Sequence, residues 1–435
     1  MRREVSDLTP AGYALLAAVA VLLGIGLATI YVTDTHYVSG HDGPRNAARQ
    51  AVFILVGAFA GILVLRVGYQ TIARHAYIIF IAGVLLLLPL FFAKVLHTTF
   101  GGLTAPRNGA YRWIHLPGYQ LQPSEFIKVA YLVALAWYLR YRKNYLRFTG
   151  LLIPFAISFI PLTLILLEPD LGTVLMLLPV LFAMLFAAGA RLLHLGIIVL
   201  LGAAAVPLLW QKLEPYQRLR VTALLLQSDV LRQAVIDEPE RFSHLATRRQ
   251  AVEWSAGSGY QLVQSKNAIG SGGILGHGWG EGIYASTSLL PDRHNDFVFS
   301  VVAHQWGFVG AMVVLGCFTV IVLVGLRIAS ATTEPFARLL AVGVVTLFAT
   351  QFVINAGMAG GLMPVTGMTL PFVSYGGSSL LTNFVAIALL ISVAQHRPFL
   401  LSVRPMEFGF KQTQHLPTRS VAGSKSAARP ATDGA

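Results

Sequence analysis

Two aspartates, an arginine and a histidine stand directly before a long apolar run in the stretch LPDRHNDFVFSVVAHQWGF, residues Leu290–Phe308. A polar side chain at the start of such a run, here Asp296 or its neighbour Asn295, can cap a helix by accepting hydrogen bonds from the first backbone amides. A carboxylate in the same place can also take a proton from a substrate that lies in the membrane. The two roles are compatible, and the residues alone leave both open for Asp296.

A second group of candidate residues lies in NGAYRWIHLPGYQLQPSEFIK, residues Asn108–Lys128. The Pro-Ser-Glu sequence is typical of a helix start, with the acid Glu125 against the positive end of the helix dipole. Lys128 follows on the same helix face, and a lysine in a spanning helix needs a partner. Lys128 therefore either forms a local ion pair with Glu125 or, like Arg112, holds a substrate phosphate. Trp113 suits an interfacial anchor as well as a substrate contact.

Three further motifs predict local conformation. LEPDLGTVLM predicts a tight turn in which Asp170 caps the following helix. The prolines and glycines of GLMPVTGMTLPFVSYGGSSLL, residues Gly361–Leu381, predict non-helical backbone that protein or a water-filled cavity must cover. Ser378 and Ser379 are then expected to cap the last helix. The glycine-dense stretch GSGYQLVQSKNAIGSGGILGHGWGEG matches no nucleotide-binding loop, GGSS is not a nucleophile elbow, and the histidines show no zinc-ligand spacing.

The composition places these motifs in a membrane protein. The chain has 435 residues, is 55% hydrophobic and only 12% charged, and its mean hydropathy is +0.66; soluble domains carry about 25% charged residues. The single cysteine, Cys317, excludes an intrachain disulfide and a cysteine-based zinc site. The net charge of +13 suits anionic headgroups and pyrophosphate-bearing substrates. Because the charges are scattered over loops, nucleic-acid binding is not expected.

Apolar runs long enough to span a bilayer predict an all-α polytopic protein with ten transmembrane helices. They fall at about 11–32, 51–67, 76–95, 124–140, 150–168, 171–189, 194–210, 296–326, 338–357 and 379–395. The Lys and Arg distribution predicts that both termini are cytoplasmic. A large extracytoplasmic loop, about 211–295, then joins helices 7 and 8, and its length and aromatic content predict that it is folded. Residues 1–395 form the membrane domain, and 396–435 a cytoplasmic, largely disordered tail.

These motifs, taken together and in order, resemble the SEDS family, the RodA/FtsW/SpoVE proteins of bacterial cell-wall synthesis. The resemblance rests on NGAYRWI, QPSEFIK, EPDLGT, GYQLVQSKNAIGSGG, LPDRHNDFVF and NAGMAGGLMPVTGMTLPFVSYGGSS, and the wording around QSK is more similar to RodA than to FtsW. It implies a ten-helix peptidoglycan glycosyltransferase of the bacterial inner membrane. Such an enzyme polymerises lipid II during elongation, works with a class B penicillin-binding protein, and has its active site on the periplasmic side.

The resemblance also assigns residues. The family's essential acid falls on Asp296, and its motifs give as candidate substrate contacts Arg112, Trp113, Glu125, Lys128, Ser265, Lys266, Ser378 and Ser379. The chain departs from the family pattern at His304-Gln305, where a Glu-Glu pair is usual, which puts a second carboxylate in doubt. Smaller departures occur at Asp292, Asn295 and His277, and residues 226–256 match nothing in the family pattern.

The implied substrate explains why one acid suffices. Lipid II carries its sugar on an undecaprenyl pyrophosphate, so the site must open both sideways to lipid and outward. A pyrophosphate leaves as a stable anion, and the remaining need is a base, Asp296, for the acceptor hydroxyl. Arg112, Lys128 or a divalent metal such as Mg²⁺ would offset the charge on the leaving group. The residues alone equally allow a lipid II flippase, and a scaffold for the transpeptidase or a division-specific FtsW-like polymerase are further alternatives.

Overall fold

The computed structural model describes residues 8–35, 45–106, 111–117, 119–141, 147–168, 170–213, 215–287 and 289–395. Within these ranges the chain is mostly helical, with one short hairpin. The elements are α1 Pro10–Thr35, α2 Arg45–Val67, α3 Tyr69–Arg74, α4 Ala76–Val95, β1 Ile114–Leu116, β2 Tyr119–Leu121, α5 Pro123–Leu139, α6 Leu152–Leu167, α7 Leu171–Ala187, α8 Leu192–Lys212, α9 Pro215–Leu225, α10 Asp229–Asp237, α11 Arg248–Val252, α12 Tyr260–Ser271, α13 Ile283–Ser286, α14 Val298–Ala331, α15 Pro335–Ala359 and α16 Gly377–Gln395. The predicted tail, 396–435, lies outside the described residues.

Each of the ten apolar runs falls on a helix. Among the described residues, seven helical segments are long and apolar enough to cross a membrane: Pro10–Thr35, Arg45–Val67, Ala76–Val95, Phe148–Leu167, Val298–Ala331, Pro335–Ala359 and Gly377–Gln395. Two more, Leu171–Ala187 and Leu192–Leu208, are apolar but shorter. The tenth, α5, has 17 residues and carries an acid and a lysine. The chain is a multi-pass membrane protein, while the count of ten spans and the orientation stay predictions.

The bundle is arranged around α5, α15 and α16, which have the most continuous burial. α15 packs against α7 and α14, and α16 packs against α2. A small residue allows α2 and α16 to approach closely, since a Cβ added at Gly57 of α2 would lie 2.3 Å from a ring carbon of Phe384 of α16. The outward faces are apolar as well, with Leu55 and Phe59 each 70% exposed. An apolar face turned away from the core is what a lipid environment requires.

The segment between α8 and α14 is folded, as its length and composition predicted. It contains α9 to α13 and a small core of its own, formed by Leu226, Val235, Ala246, Ala251, Trp254 and Leu262. The Trp254 indole N–H donates to the carbonyl of Ala223 at 2.8 Å, which ties this core to α9. Residues 226–256, which match no family motif, therefore build most of this small core and hold α9 in place.

The helix predicted over 296–326 is broken at one residue. Gly307 in α14 has φ 63° and ψ −157°, far from helical values. A Cβ at Gly307 would lie 2.4 Å from the amide nitrogen of Gly276, so only glycine fits where the glycine-dense segment crosses the break.

The glycine-dense segment also satisfies the backbone groups that the break exposes. The carbonyls before the break accept from it, His304 from His277 N–H at 3.1 Å and Gln305 from Gly278 N–H at 3.0 Å. After the break, the Phe308 N–H donates to the Gly273 carbonyl at 2.9 Å and the Val309 N–H to the Ile274 carbonyl at 3.2 Å. In a membrane, where water cannot supply these bonds, the segment replaces the missing helical turn. The His304-Gln305 departure from the family pattern therefore lies at the helix break.

Residues 361–376 are non-helical, which confirms the prediction from their prolines and glycines. Long polar side chains from neighbouring elements satisfy their carbonyls: Gln351 donates to Thr369 at 3.0 Å and Gln227 to Gly361 at 3.1 Å. Phe372 is buried with φ 64°, an uncommon conformation for a residue with a Cβ. Protein thus covers this segment, and the same backbone borders the candidate site.

Candidate active site

Asp296 lies at the end of a tight turn just before α14. The carbonyl of Asp292 accepts hydrogen bonds from the N–H groups of Asn295 and Asp296, each at 3.0 Å. α14 has Phe297 at its N-cap position and no side-chain cap bond, so the predicted capping role of Asp296 or Asn295 is wrong. The carboxyl of Asp296 is therefore not used to start the helix.

Hydrogen bonds fasten this turn to the rest of the bundle through its backbone and through Arg293. The guanidinium of Arg293 is buried and donates to the carbonyls of Thr33 at 2.8 Å and Ala285 at 3.2 Å. From the other side, the Asn355 side-chain amide donates to the carbonyl of Asp296 at 2.9 Å, and the Ser374 hydroxyl donates to that of Asn295 at 2.6 Å. These contacts hold the backbone of Asp296 between α1, α15 and the non-helical segment.

The environment of Asp296 raises the pKa of its carboxyl to about 7. Burial is the largest cause, because it removes water from the charged form, and the nearby negative charge of Asp292 adds to it. The positive charges of Arg220 and Arg112 act in the opposite direction. A carboxyl with this pKa is present in both protonation states near neutral pH, which suits a general base.

Arg220 is a site residue that the sequence motifs did not indicate. It lies on α9, in the loop segment, and its Nη1 donates to the carbonyl of Thr366 at 3.0 Å. A Cβ built at Gly367 would lie 3.3 Å from Asp296 Oδ2 and 3.5 Å from Arg220 Nη1, so the acid and the guanidinium flank this glycine. Only the folding of α9 against the non-helical segment brings Arg220 to Asp296, and no local sequence signal reports that.

Two more acids face Arg112 at the start of α7. Asp170 caps this helix as predicted, accepting from the Thr173 N–H at 3.3 Å, and it also accepts from the Ser124 hydroxyl at 3.1 Å. These bonds and the positive charge of Arg112 outweigh burial and lower the pKa of Asp170. Burial, with the charge of Asp170, raises the pKa of Glu168 well above its usual value. The pKa values of these two neighbouring acids are thus shifted in opposite directions.

Glu125 and Lys128 form the local ion pair that their spacing predicted. The Lys128 Nζ lies 2.7 Å from Glu125 Oε2, and both side chains are buried. The pair borders a small cavity of about 20 Å³ that Asp170 and Gly367 also line. Lys128 is therefore neutralised by Glu125 while still facing the space beside Gly367, and its predicted phosphate contact stays a prediction.

On its other side the turn borders a larger cleft of about 520 Å³. Trp113, Tyr119 and Tyr375 line this cleft together with Arg49 and Asn295. Aromatic rings and an arginine around a polar opening can bind a sugar and an acidic group. Trp113 is thus part of a concave site next to Asp296, and its role as substrate contact remains a prediction.

The predicted serines and Lys266 occupy different places. Ser378 and Ser379 lie inside the first turn of α16, where Ser378 accepts from the Gln122 N–H at 3.1 Å and Ser379 contacts Thr369 at 2.8 Å. They therefore tie the hairpin and the non-helical segment to α16, and the expectation that they cap the helix is not met. Ser265 is buried between α12, α14 and α15, and Lys266 contacts Gln227 at 3.1 Å. No contact joins Ser265 or Lys266 to Asp296 among the described residues.

The part of the chain that the structure describes holds no group of three or more His, Cys, Asp or Glu side chains able to chelate a metal ion. The carboxyl of Asp170 accepts hydrogen bonds from the Ser124 and Thr173 hydroxyls, and Asp296 and Asp170 both feel the charge of Arg112. The described side chains thus offer cations, rather than a complete ligand set, to offset negative charge on a substrate.

Comparison with known proteins identifies the family. The FtsW/RodA/SpoVE model, described as cell cycle protein, matches residues 13–398. The chain belongs to the SEDS family. It is 35% identical over 385 residues to the probable peptidoglycan glycosyltransferase FtsW of Trichlorobacter lovleyi, covering 87% of this chain and 92% of that protein. It is 36% identical over 298 residues to the peptidoglycan glycosyltransferase MrdB of Escherichia coli, covering 67% and 73%.

A solved structure shares the fold of this SEDS protein. The chain aligns with TM-score 0.68 and 29% identity to a chain of a peptidoglycan synthase complex that coordinates polymerization and crosslinking. The alignment covers 89% of this chain and 98% of that one. The match over nearly the whole of that chain confirms the SEDS resemblance that the motifs carried. The chain is thus similar to FtsW and to MrdB at nearly the same identity.

Proposed function

We propose that this protein is a peptidoglycan glycosyltransferase that polymerises lipid II, with Asp296 as the general base on the acceptor hydroxyl. The observation that carries the proposal is a single carboxyl, that of Asp296, with a pKa of about 7 and within the electrostatic influence of Arg220 and Arg112. Asn295, the residue before Asp296, lines a cleft with aromatic walls. The names of its relatives, peptidoglycan glycosyltransferases, support the same reaction.

The reaction needs one base and a means of neutralising a leaving pyrophosphate. The ionised carboxylate of Asp296 takes the proton of the acceptor hydroxyl while its oxygen bonds to the donor sugar. The pyrophosphate leaves with the bonding electrons, and Arg112 and Arg220 lie where they lower the cost of the negative charge. The charge of Arg112 acts on Asp170, whose carboxyl also accepts hydrogen bonds from Ser124 and Thr173, so we do not assign Asp170 as a second base.

A polymerisation assay with matched variants tests this role. The purified protein, together with its partner transpeptidase, is given lipid II, and glycan strands are measured for the native chain, Asp296→Ala, Asp296→Asn and the control Asp292→Asn. Asp292 is an exposed carboxylate four residues earlier, so its variant keeps the turn but loses a charge. We expect strands from the native chain and Asp292→Asn only. Strands of normal yield from Asp296→Asn would instead favour lipid II transport, which a neutral residue in an open path tolerates.

The cellular setting is part of the proposal. We assign the protein to the bacterial inner membrane, with the site facing outward. We assign a class B penicillin-binding protein as its partner, because the structural neighbour belongs to a peptidoglycan synthase complex. On the wording of QSKNAIGSGG we assign it to elongation. We then expect that depletion of this protein makes the cells round, whereas filamentous cells after depletion would assign the protein to division.

A further inference from the structure

The surroundings of α14 change at its break. Before Gly307, the side chains of residues 301–305 are all buried, so protein covers the helix on every side. Directly after the break, Phe308 and Val309 are exposed, and exposed apolar side chains recur along the rest of the helix. Residues 308–331 alone rise about 36 Å as a helix, enough to cross a hydrocarbon core of roughly 30 Å. The break therefore lies near the hydrocarbon edge that faces the segment between α8 and α14.

An uncharged part of the glycine-dense segment lies beside this edge. Residues 267–280, NAIGSGGILGHGWG, contain no Asp, Glu, Lys or Arg. Within them Ile274 is 72% exposed and Leu275 76% exposed. The hydrogen bond from the Val309 N–H to the Ile274 carbonyl holds these side chains level with the first exposed residues of α14. Two adjacent aliphatic side chains so exposed are unfavourable in water and favourable in hydrocarbon.

An aromatic pair lies at the end of the same stretch. The Trp279 ring stacks on that of Tyr31 with centroids 6.1 Å apart, and its indole N–H donates to the Ala28 carbonyl at 3.4 Å. Both rings are exposed, and Ala28 and Tyr31 lie near the end of α1. Tryptophan and tyrosine are enriched where a membrane meets water, because they combine an apolar ring with a polar atom. The pair thus indicates a membrane interface at this level.

The backbone of the stretch meets the condition that hydrocarbon imposes on irregular structure. Its carbonyls and N–H groups bond to α14 on both sides of Gly307, and the Gly276 N–H donates to the Gly272 carbonyl at 2.8 Å. A non-helical segment lies at membrane depth only where its polar backbone groups are bonded within the protein. A loop in water has no such requirement, because water bonds to the same groups.

We propose that residues 272–280 are a membrane anchor, which inserts Ile274 and Leu275 into the hydrocarbon of the adjacent leaflet. Lipid is the occupant that the structure favours, because the exposed patch continues into the face of α14 that lipid must cover. The patch also lacks charged groups, which give protein interfaces much of their specificity. The anchor holds the backbone at the Gly307 break to the membrane surface. It thereby fixes the depth at which the covered part of α14 and the turn of Asp296 lie.

Spin-label accessibility measures the depth of the anchor. Leu275→Cys is introduced into the full chain, with Cys317→Ala to remove the single native thiol. The labelled protein is placed in vesicles of phosphatidylglycerol and phosphatidylethanolamine, alone and with its partner transpeptidase. Val230→Cys, at an 82% exposed position of α10, is the control in water, and Leu323→Cys, at a 61% exposed position of α14, is the control in lipid.

We expect oxygen, which concentrates in hydrocarbon, to relax the label at Leu275 several-fold more than a water-soluble nickel chelate does, as at Leu323. The preference should be reversed at Val230. A label at Leu275 that the chelate reaches as readily as at Val230 would overturn the proposal. Access to the chelate that is lost only when the partner is added would also overturn it, because the surface would then bind protein.

A charge substitution gives a second, independent measurement. An aspartate in hydrocarbon is costly, so Leu275→Asp should lower both the yield of membrane-inserted protein and its unfolding temperature. Val230→Asp, the matched substitution at a position exposed to water, should change neither. Equal yield and equal unfolding temperature in the two variants would contradict insertion of Leu275.

Discussion

The pH dependence of polymerisation follows from the raised pKa of Asp296. With a pKa of about 7, roughly a tenth of the carboxyl is ionised at pH 6 and roughly nine tenths at pH 8. If the ionised form is the base, the rate rises about tenfold per pH unit below 7 and levels above it. An aspartate at its ordinary value of 3.8 would give a flat profile over the same range.

Removing the Asp292 charge should move this profile in a defined direction. Asp292 raises the pKa of Asp296 by its negative charge, so Asp292→Asn lowers that pKa and shifts the rising limb to lower pH. Asp292 has φ 50°, a conformation that asparagine adopts readily, so the backbone of the turn is kept. Burial remains the largest cause, and the limb therefore stays well above the ordinary value of 3.8.

The assay is single-turnover polymerisation of lipid II between pH 5.5 and 8.5, with the partner's transpeptidase inhibited, so that product release does not mask the chemical step. Low salt increases the contribution of the exposed Asp292 charge, and high salt decreases it. A flat profile in the native protein would refute the reasoning. So would a limb that Asp292→Asn moves to higher pH, because the sign of the charge effect is fixed.

The remaining predictions concern stability. Asp296→Asn abolishes polymerisation, yet it should unfold at a higher temperature than the native chain at pH 8 and by a smaller margin at pH 5. The reason is that between pH 3.8 and about 7 the unfolded chain has lost this proton while the folded chain keeps it, so the stability of the native chain falls by about 1.4 kcal/mol per pH unit over that range and is constant above it; an equal margin at both pH values would contradict it. Lys128→Met leaves Glu125 buried without its charge partner and should cost about 3–5 kcal/mol, whereas adding Glu125→Gln should recover part of the loss, measured by denaturation in detergent. Gly307→Ala should lower the yield of folded protein, since a Cβ there meets the Gly276 backbone; a fully stable variant would show that the helix break is not required. Arg293→Ala should reduce the rate more than Arg293→Lys, which keeps one donor for the surrounding carbonyls, and a rate unchanged in both would rule out a positioning role.

Local sequence patterns predicted the features that depend on neighbours along the chain. Hydropathy located all ten apolar helices because a continuous apolar run of roughly 20 residues is itself the signal for a spanning helix. Spacing of three residues paired Glu125 with Lys128, and the position of Asp170 before an apolar run marked a helix cap. Prolines and glycines marked the non-helical segment before α16. The helix-cap rule failed for Asp296. A carboxylate just before a helix can be either a cap or a catalytic base, and the local sequence is the same in both cases.

What escaped the sequence depends on partners that are distant along the chain. Arg220 sits in an ordinary-looking helix of a loop, and it reaches the site only because α9 packs under Thr366. Asn355 looks like one more polar residue of a spanning helix, although its amide binds the carbonyls of both Asp296 and Met368. A buried amide inside an apolar helix is costly unless its hydrogen bonds are made. A lone polar residue facing the interior of a spanning helix is therefore a clue to a distant backbone that it must hold, and here that backbone belongs to the candidate base.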